Sequence, residues 1–228
     1  MPAEFDRYAA EYDELLRDPI RDGFSGGARF FHERKWELIQ SFFQRRKRDT
    51  TRLRWLDVGC GKGELLALGA SRFERVVGCD PAREMAAGAQ VETVYQPDAA
   101  RLPFAAGEFD FVTAVCVFHH VEQASRAPLV AEMARVLRPG GVACMMEHNP
   151  WNPVTRLIVS RTPVDADAVL LSSRESARLL RQARLDVVEK RYFLYLPAKL
   201  YRSVGVLENA LAKVPAGGQY AVFAERLS

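Results

Sequence analysis

The sequence predicts a doubly wound α/β domain with a mostly parallel sheet. Short apolar runs alternate with helical or loop segments from Leu53 onward, and the stretch FDFVTAVCVF is nearly continuous in apolar residues, as suits a strand covered on both faces. A glycine-rich turn follows the first run, which is where open α/β sheets place their ligands. At 228 residues, with 48% hydrophobic and 27% charged residues, the chain is sized for one domain with its own core. That composition excludes a disordered, collagen-like or coiled-coil chain.

Each element follows from local pattern. Phe5, Tyr8, Ala9, Tyr12, Leu15 and Leu16 recur at helical spacing, and Pro19 with Gly23, Gly26 and Gly27 ends that opening amphipathic helix. Phe31, Lys35, Leu38, Ile39, Phe42 and Phe43 form a second stripe, with the Lys35 stem lying along it. Strands are expected at Leu53 to Val58, Arg75 to Cys79, Val91 to Tyr95, Phe109 to Val115 and Val142 to Met146. Ser172 and Glu175 have capping-box spacing ahead of a helix from Ala177 through Ala183. Strands from Leu185 to Leu196 and from Gln219 to Glu225 complete the chain. A helical stretch around Leu200 to Leu211 joins them and ends at Pro215-Ala216-Gly217-Gly218.

Charge selects no partner, since 32 basic and 29 acidic residues leave only +3. The cluster Arg45-Arg46-Lys47-Arg48 lacks interleaved aromatic residues and reads as a solvated connection, so no nucleic-acid partner is expected. Cys60, Cys79, Cys116 and Cys144 form no CxxC pair, which fits a reducing cytoplasm. The absence of a long apolar run or a basic leader leads to the same cytoplasmic expectation, with no stable membrane insertion. Oligomeric state is not legible.

The strongest chemical signal is Asp57-Val58-Gly59-Cys60-Gly61-Lys62-Gly63, an apolar strand turning into a helix. Glycines there let a ligand approach the backbone, and the helix start beyond presents free amide donors. Lys62 is not followed by the hydroxyl a P-loop requires, and Glu64 stands where a dinucleotide fingerprint needs its third small residue. Asp80, at the end of the next run, can accept from both hydroxyls of a ribose, and Asp98 can face an adenine amino group. In this order they describe a nucleoside site.

With Asp98 ahead of Leu-Pro-Phe, Phe109-Asp-Phe-Val and Arg138-Pro-Gly-Gly141, the chain resembles the class I S-adenosylmethionine-dependent methyltransferases, in particular those acting on small molecules. The resemblance implies a three-layer Rossmann-like fold with seven strands, the last antiparallel. It implies one domain, 1–228: a helical lid at 1–45, a cofactor core at 52–147, an acceptor-side insertion at 151–183 and completion of the sheet at 185–228. S-adenosyl-L-methionine is the implied cofactor. Gly59, Cys60, Gly61 and Gly63 would cradle its methionine portion, with Asp57 beneath. Asp80 would hold the ribose, Met85 would pack on the adenine, and Asp98 with the Ala99 backbone would read the adenine edge. Pro81, Cys116 and Tyr12 complete the implied cofactor set.

The acceptor side decides the chemistry. His119 and His120 follow the fourth strand, where an imidazole can take a proton from a hydroxyl, and Glu147 after the fifth strand can orient a base. Tyr8, His148, Asn149, Trp151 and Arg156 are the expected substrate contacts. No recognised metal-ligand spacing is present, so no metal is expected. The expected reaction is methyl transfer to a small organic acceptor, at a hydroxyl oxygen. N- or C-methylation, or use of the cofactor without methyl transfer, are the alternatives.

Overall fold

The computed structural model describes residues 4–98 and 100–227. A 3-10 turn at Glu4–Tyr8 leads to α1 (Tyr12–Leu15), α2 (Pro19–Ser25) and α3 (Ala28–Arg45). Next come β1 (Arg54–Val58), α4 (Glu64–Gly69), β2 (Arg75–Asp80), α5 (Arg83–Ala87), β3 (Glu92–Tyr95), β4 (Phe109–Val115), α6 (Gln123–Val136) and β5 (Leu137–His148). After α7 (Pro153–Val159) and a 3-10 turn at Pro163–Asp165 follow α8 (Ser173–Gln182), β6 (Leu185–Phe193), α9 (Ala198–Val204), α10 (Val206–Leu211) and β7 (Gln219–Arg226).

The seven strands lie in the order β3-β2-β1-β4-β5-β7-β6. β1 to β5 run parallel, while β7 is antiparallel to both β5 and β6. Because β1 pairs with both β2 and β4, the chain winds outward from it in two directions, opening a crevice beyond the carboxyl ends of β1 and β4. Side-chain alternation along each strand then feeds two cores. Leu56, Val112, Met145 and Val222 meet α6 and α8 on one face, and Trp55, Phe111 and Phe223 meet α3 and α4 on the other. This is the three-layer methyltransferase-type fold expected from the sequence.

β5 starts at Leu137 rather than Val142 and runs to His148 rather than Met146, and α8 starts at Ser173 rather than Ala177. Three further boundaries differ from the sequence reading, each for a local reason. The opening stripe is not one helix: Pro19 starts α2 rather than ending α1, because Asp18 Oδ1 accepts from the Ile20 and Arg21 amides at 2.8 and 3.1 Å and caps it. β6 stops at Phe193 instead of Leu196, since Leu194 takes a positive φ of 63°. The stretch around Leu200 to Leu211 is two helices divided at Gly205.

The basic cluster precedes the amino end of β1, whereas the crevice lies beyond that strand's carboxyl end. Arg45 pairs with Glu189 at 2.5 Å, Arg46 with Glu225 at 3.2 Å, and Arg48 donates to the Gly140 carbonyl at 3.0 Å. Among the described residues no helix is long and apolar enough to cross a membrane.

Candidate functional site

The turn after β1 holds three left-handed glycines, with φ of 69° at Gly59, 53° at Gly61 and 73° at Gly63. Gly59 is also sterically confined, because a Cβ there would stand 2.6 Å from Val117 Cγ2. At Gly61 the nearest atom to such a Cβ is Met85 Cε at 3.6 Å, so this residue borders open space. The Gly59 and Cys60 amides donate to the Cys79 carbonyl at 2.8 and 3.1 Å, tying the turn to β2. Asp80 braces it further by accepting from Gly61 N at 2.8 Å and from Ala82 N, beyond Pro81, at 2.8 Å. Burial pushes the Asp80 carboxyl up. Asp57 is buried beneath the turn, takes the Thr113 hydroxyl at 2.5 Å, and is pushed up to about 7 by burial. Asp98 is exposed and caps its own turn through the Ala100 amide at 2.8 Å. Ala99 lies outside the described residues.

Beyond β4 and β5 the histidines and Glu147 form one network. Glu147 is fully buried: Oε1 accepts from the Val117 and Phe118 amides at 3.0 and 2.7 Å, and Oε2 meets His119 Nδ1 at 2.6 Å. Burial raises this carboxyl, but the His119 imidazole outweighs it and holds the group below its ordinary value. Burial likewise opposes charge on His119, yet Glu147 and Asp165 prevail and hold it at about 10. Glu147 thus holds the β4 loop and fixes the His119 ring. Asp165, from the turn after α7, sets Oδ1 3.5 Å from His119 Nε2 and 3.3 Å from His120 Nε2. The insertion is pinned there by Val169 N donating to the His119 carbonyl at 2.8 Å. His120 is partly exposed, and burial lowers its pKa, favouring the neutral ring.

The other expected contacts divide. Asn149 is buried and structural, since Nδ2 donates to the Pro215 and Gly217 carbonyls at 3.1 and 2.8 Å. Trp151 is 72% exposed. Arg156 lines a groove of about 470 Å³ with Leu157, Ser160 and Asp165. The His148 ring sits 5.1 Å from that of His119. The amino-terminal segment bridges the glycine turn and the histidines: Asp13 pairs with Lys62 at 2.8 Å, and the Phe5 ring lies 4.8 Å from the His120 ring. Tyr8 packs on Phe5, and half-buried Tyr12 has its phenol pushed up by burial.

The sequence places Asp165 in the acceptor-side insertion but does not reveal its pairing with the histidines, nor the role of Lys35. Asp165 sits within an insertion whose folding-back no spacing announces. Lys35 was read only as a stem within an apolar stripe, yet it is buried and directs Nζ to 3.6 Å from Cys116 Sγ. Burial raises that thiol, but Lys35 and His148 together hold it at about 7. A lysine inside a core-facing stripe was the available signal.

Residues 56–145 match the family described as a methyltransferase domain. The tRNA (carboxymethyluridine(34)-5-O)-methyltransferase of Arabidopsis thaliana is 28% identical over 162 residues, 70% of this chain. The match spans only 38% of that relative's length. Among solved structures, a chain of the complex containing the Haloferax volcanii Trm112 methyltransferase activator aligns over 100% of both chains with a TM-score of 0.67 and 20% identity. Haemonchus contortus phosphoethanolamine N-methyltransferase 2, solved with S-adenosyl-L-methionine, aligns with a TM-score of 0.62 and 17% identity, over 98% of this chain and 57% of that one. These findings correct one expectation. A relative named for a tRNA substrate overturns the view that nucleic acid has no place among the partners.

Proposed function

We propose that this chain, whose residues 56–145 match the methyltransferase-domain family, is a class I S-adenosylmethionine-dependent methyltransferase that transfers the cofactor's methyl group to an oxygen atom of an RNA nucleoside. The observation that carries the oxygen assignment is the His120–Asp165 pair at the mouth of the crevice. The tRNA relative supports RNA as the acceptor class.

The turn fits this cofactor. It offers open space at Gly61, buried carboxylates at Asp57 and Asp80 that suit a cation and hydroxyl donors, and the Met85 side chain beside them. S-adenosylmethionine brings an activated methyl and its own leaving group. Gly59, Cys60, Gly61 and Gly63 hold the methionine portion, Asp80 the ribose, and Pro81, Met85 and Asp98 the adenine side, with Cys116 and Tyr12 closing the cavity. His120, kept neutral and paired to Asp165 through one ring nitrogen, takes the acceptor proton, and the carboxylate stabilises the resulting imidazolium. His119 and Glu147 position it. Tyr8, His148, Trp151 and Arg156 lie on the acceptor side.

Two substitutions separate these roles. Asp80→Ala should weaken cofactor binding roughly 10- to 100-fold by calorimetry, the scale of losing hydrogen bonds to a charged group, with little change in acceptor affinity. His120→Ala should lower kcat by about 10²- to 10⁴-fold while cofactor affinity holds. Full turnover by His120→Ala across pH would instead favour an amine or carbon acceptor.

A second reading, methylation of a free small organic acceptor, has one observation in its favour: the groove beside Arg156 is of a size that suits such a molecule. Incubation with methyl-labelled S-adenosylmethionine and either total RNA or a small-metabolite extract distinguishes the two. Label in nuclease-sensitive material supports RNA, and label confined to the low-mass fraction supports the second reading. S-adenosylhomocysteine formation without a methylated product, or no turnover of the cofactor in either incubation, would reject methyl transfer.

A further inference from the structure

We propose that His119, His120 and Asp165 form a binding site for a divalent transition-metal ion of the Zn²⁺ class. Each residue offers one ligand atom, and the three atoms lie within 4.8 Å of one another. Asp165 Oδ1 stands 3.5 Å from His119 Nε2 and 3.3 Å from His120 Nε2. Bonds of about 2.0–2.2 Å in tetrahedral arrangement separate ligand atoms by about 3.3–3.6 Å, so an ion between them requires only a modest approach of the two imidazoles.

The surroundings are built as a metal site requires. Glu147 takes His119 Nδ1 at 2.6 Å, which fixes the ring and directs Nε2 toward Asp165. A carboxylate gripping the far nitrogen of a ligating histidine is the usual support for such a ligand. The ion displaces the Nε2 proton that His119 now directs at Asp165, and that proton leaves to solvent. Glu147 is itself held by the Val117 and Phe118 amides, so the ring's orientation is set by the backbone of the β4 loop. Asp165 arrives on a segment anchored by the Val169 amide on the His119 carbonyl. Two imidazoles and one carboxylate suit Zn²⁺, Co²⁺ or Fe²⁺ rather than Mg²⁺ or Ca²⁺, which favour all-oxygen ligands.

Three protein ligands leave a further coordination position free, the arrangement of reactive rather than purely structural metal sites. Resting on the function proposed above, an ion here would lower the pKa of an acceptor hydroxyl held at that position and take over the role the His120–Asp165 pair fills without metal. The binding claim itself stands independently of methyl transfer.

Co²⁺ is the probe, because its visible absorption reports ligand number and geometry. Chelator-treated full-length chain without a histidine tag should bind one equivalent of Co²⁺, with a d–d band that Zn²⁺ abolishes by displacement. His120→Ala and Asp165→Asn should each weaken this binding at least ~10-fold. Cys116→Ala, which removes the nearby thiol, should leave the band unchanged. Far-UV circular dichroism checks the fold of each variant, and partly exposed His120 gives an independent test if Asp165→Asn misfolds. Absence of saturable one-to-one binding, or binding unaltered in both ligand variants, overturns the site. Calorimetry with S-adenosylmethionine alone separates that failure from failure of the cofactor assignment.

Discussion

Glu147→Ala should destabilise the protein by roughly 3–5 kcal/mol, the range found when one partner of a buried ion pair is removed. Three groups lose their partner at once: the Val117 and Phe118 amides and His119 Nδ1. Glu147 and His119 are both nearly inaccessible, so water cannot replace the lost carboxylate without opening the β4 loop. For a chain of this length the melting temperature should fall by about 6–20 °C. Glu147→Gln keeps an oxygen for the amides but loses the charge facing His119, and should fall between. Chemical denaturation of the three proteins measures the series. An alanine variant melting within about 2 °C of wild type would show that the network contributes little and that the β4 loop is held by other contacts.

The glycine turn and the histidines were legible because their chemistry is local. A strand that ends in closely spaced glycines must turn tightly, and His119 and His120 adjoin a strand whose apolar run is unambiguous. The parallel sheet followed from the same alternation. What was hidden depends on long-range return of the chain. Asp165 meets His120 only because the segment after α7 folds back over the β4 loop, and nothing in its immediate neighbours encodes that contact. Lys35 is similar: helical spacing assigns its side of α3, but only the position of Cys116 at the end of β4 shows where its ammonium ends. Asn149 illustrates the reverse error. It stands at the right strand end for a substrate contact, yet the loop before β7 captures its side chain with two carbonyls. Pro19 looks like a stop from its neighbours alone, but Asp18 caps a new helix there by accepting from the Ile20 amide.

Asp57→Asn should move stability and cofactor binding in opposite directions. Burial raises the Asp57 carboxyl from its ordinary 3.8 to about 7, so ionising it costs free energy in the folded chain that it does not cost in the unfolded one. Below about pH 4 the group is protonated in both states and imposes no penalty. The penalty grows as pH rises from there and is complete above about 7. Asparagine cannot ionise and still offers an oxygen to the Thr113 hydroxyl, which Asp57 now accepts at 2.5 Å. The variant should therefore be more stable than wild type at pH 8, by on the order of 2–4 kcal/mol, with the difference vanishing near pH 4. Retaining so costly a carboxylate is explained if a positive charge on the ligand offsets it. On the cofactor reading, the variant should then lose more affinity for S-adenosylmethionine, whose sulfur is cationic, than for S-adenosylhomocysteine, whose sulfur is neutral. Melting curves at pH 4 and 8, with calorimetry on both ligands, test each half separately. If asparagine gives no extra stability at pH 8, Asp57 is not strained by burial. If both ligands weaken equally, its charge does not serve the sulfonium.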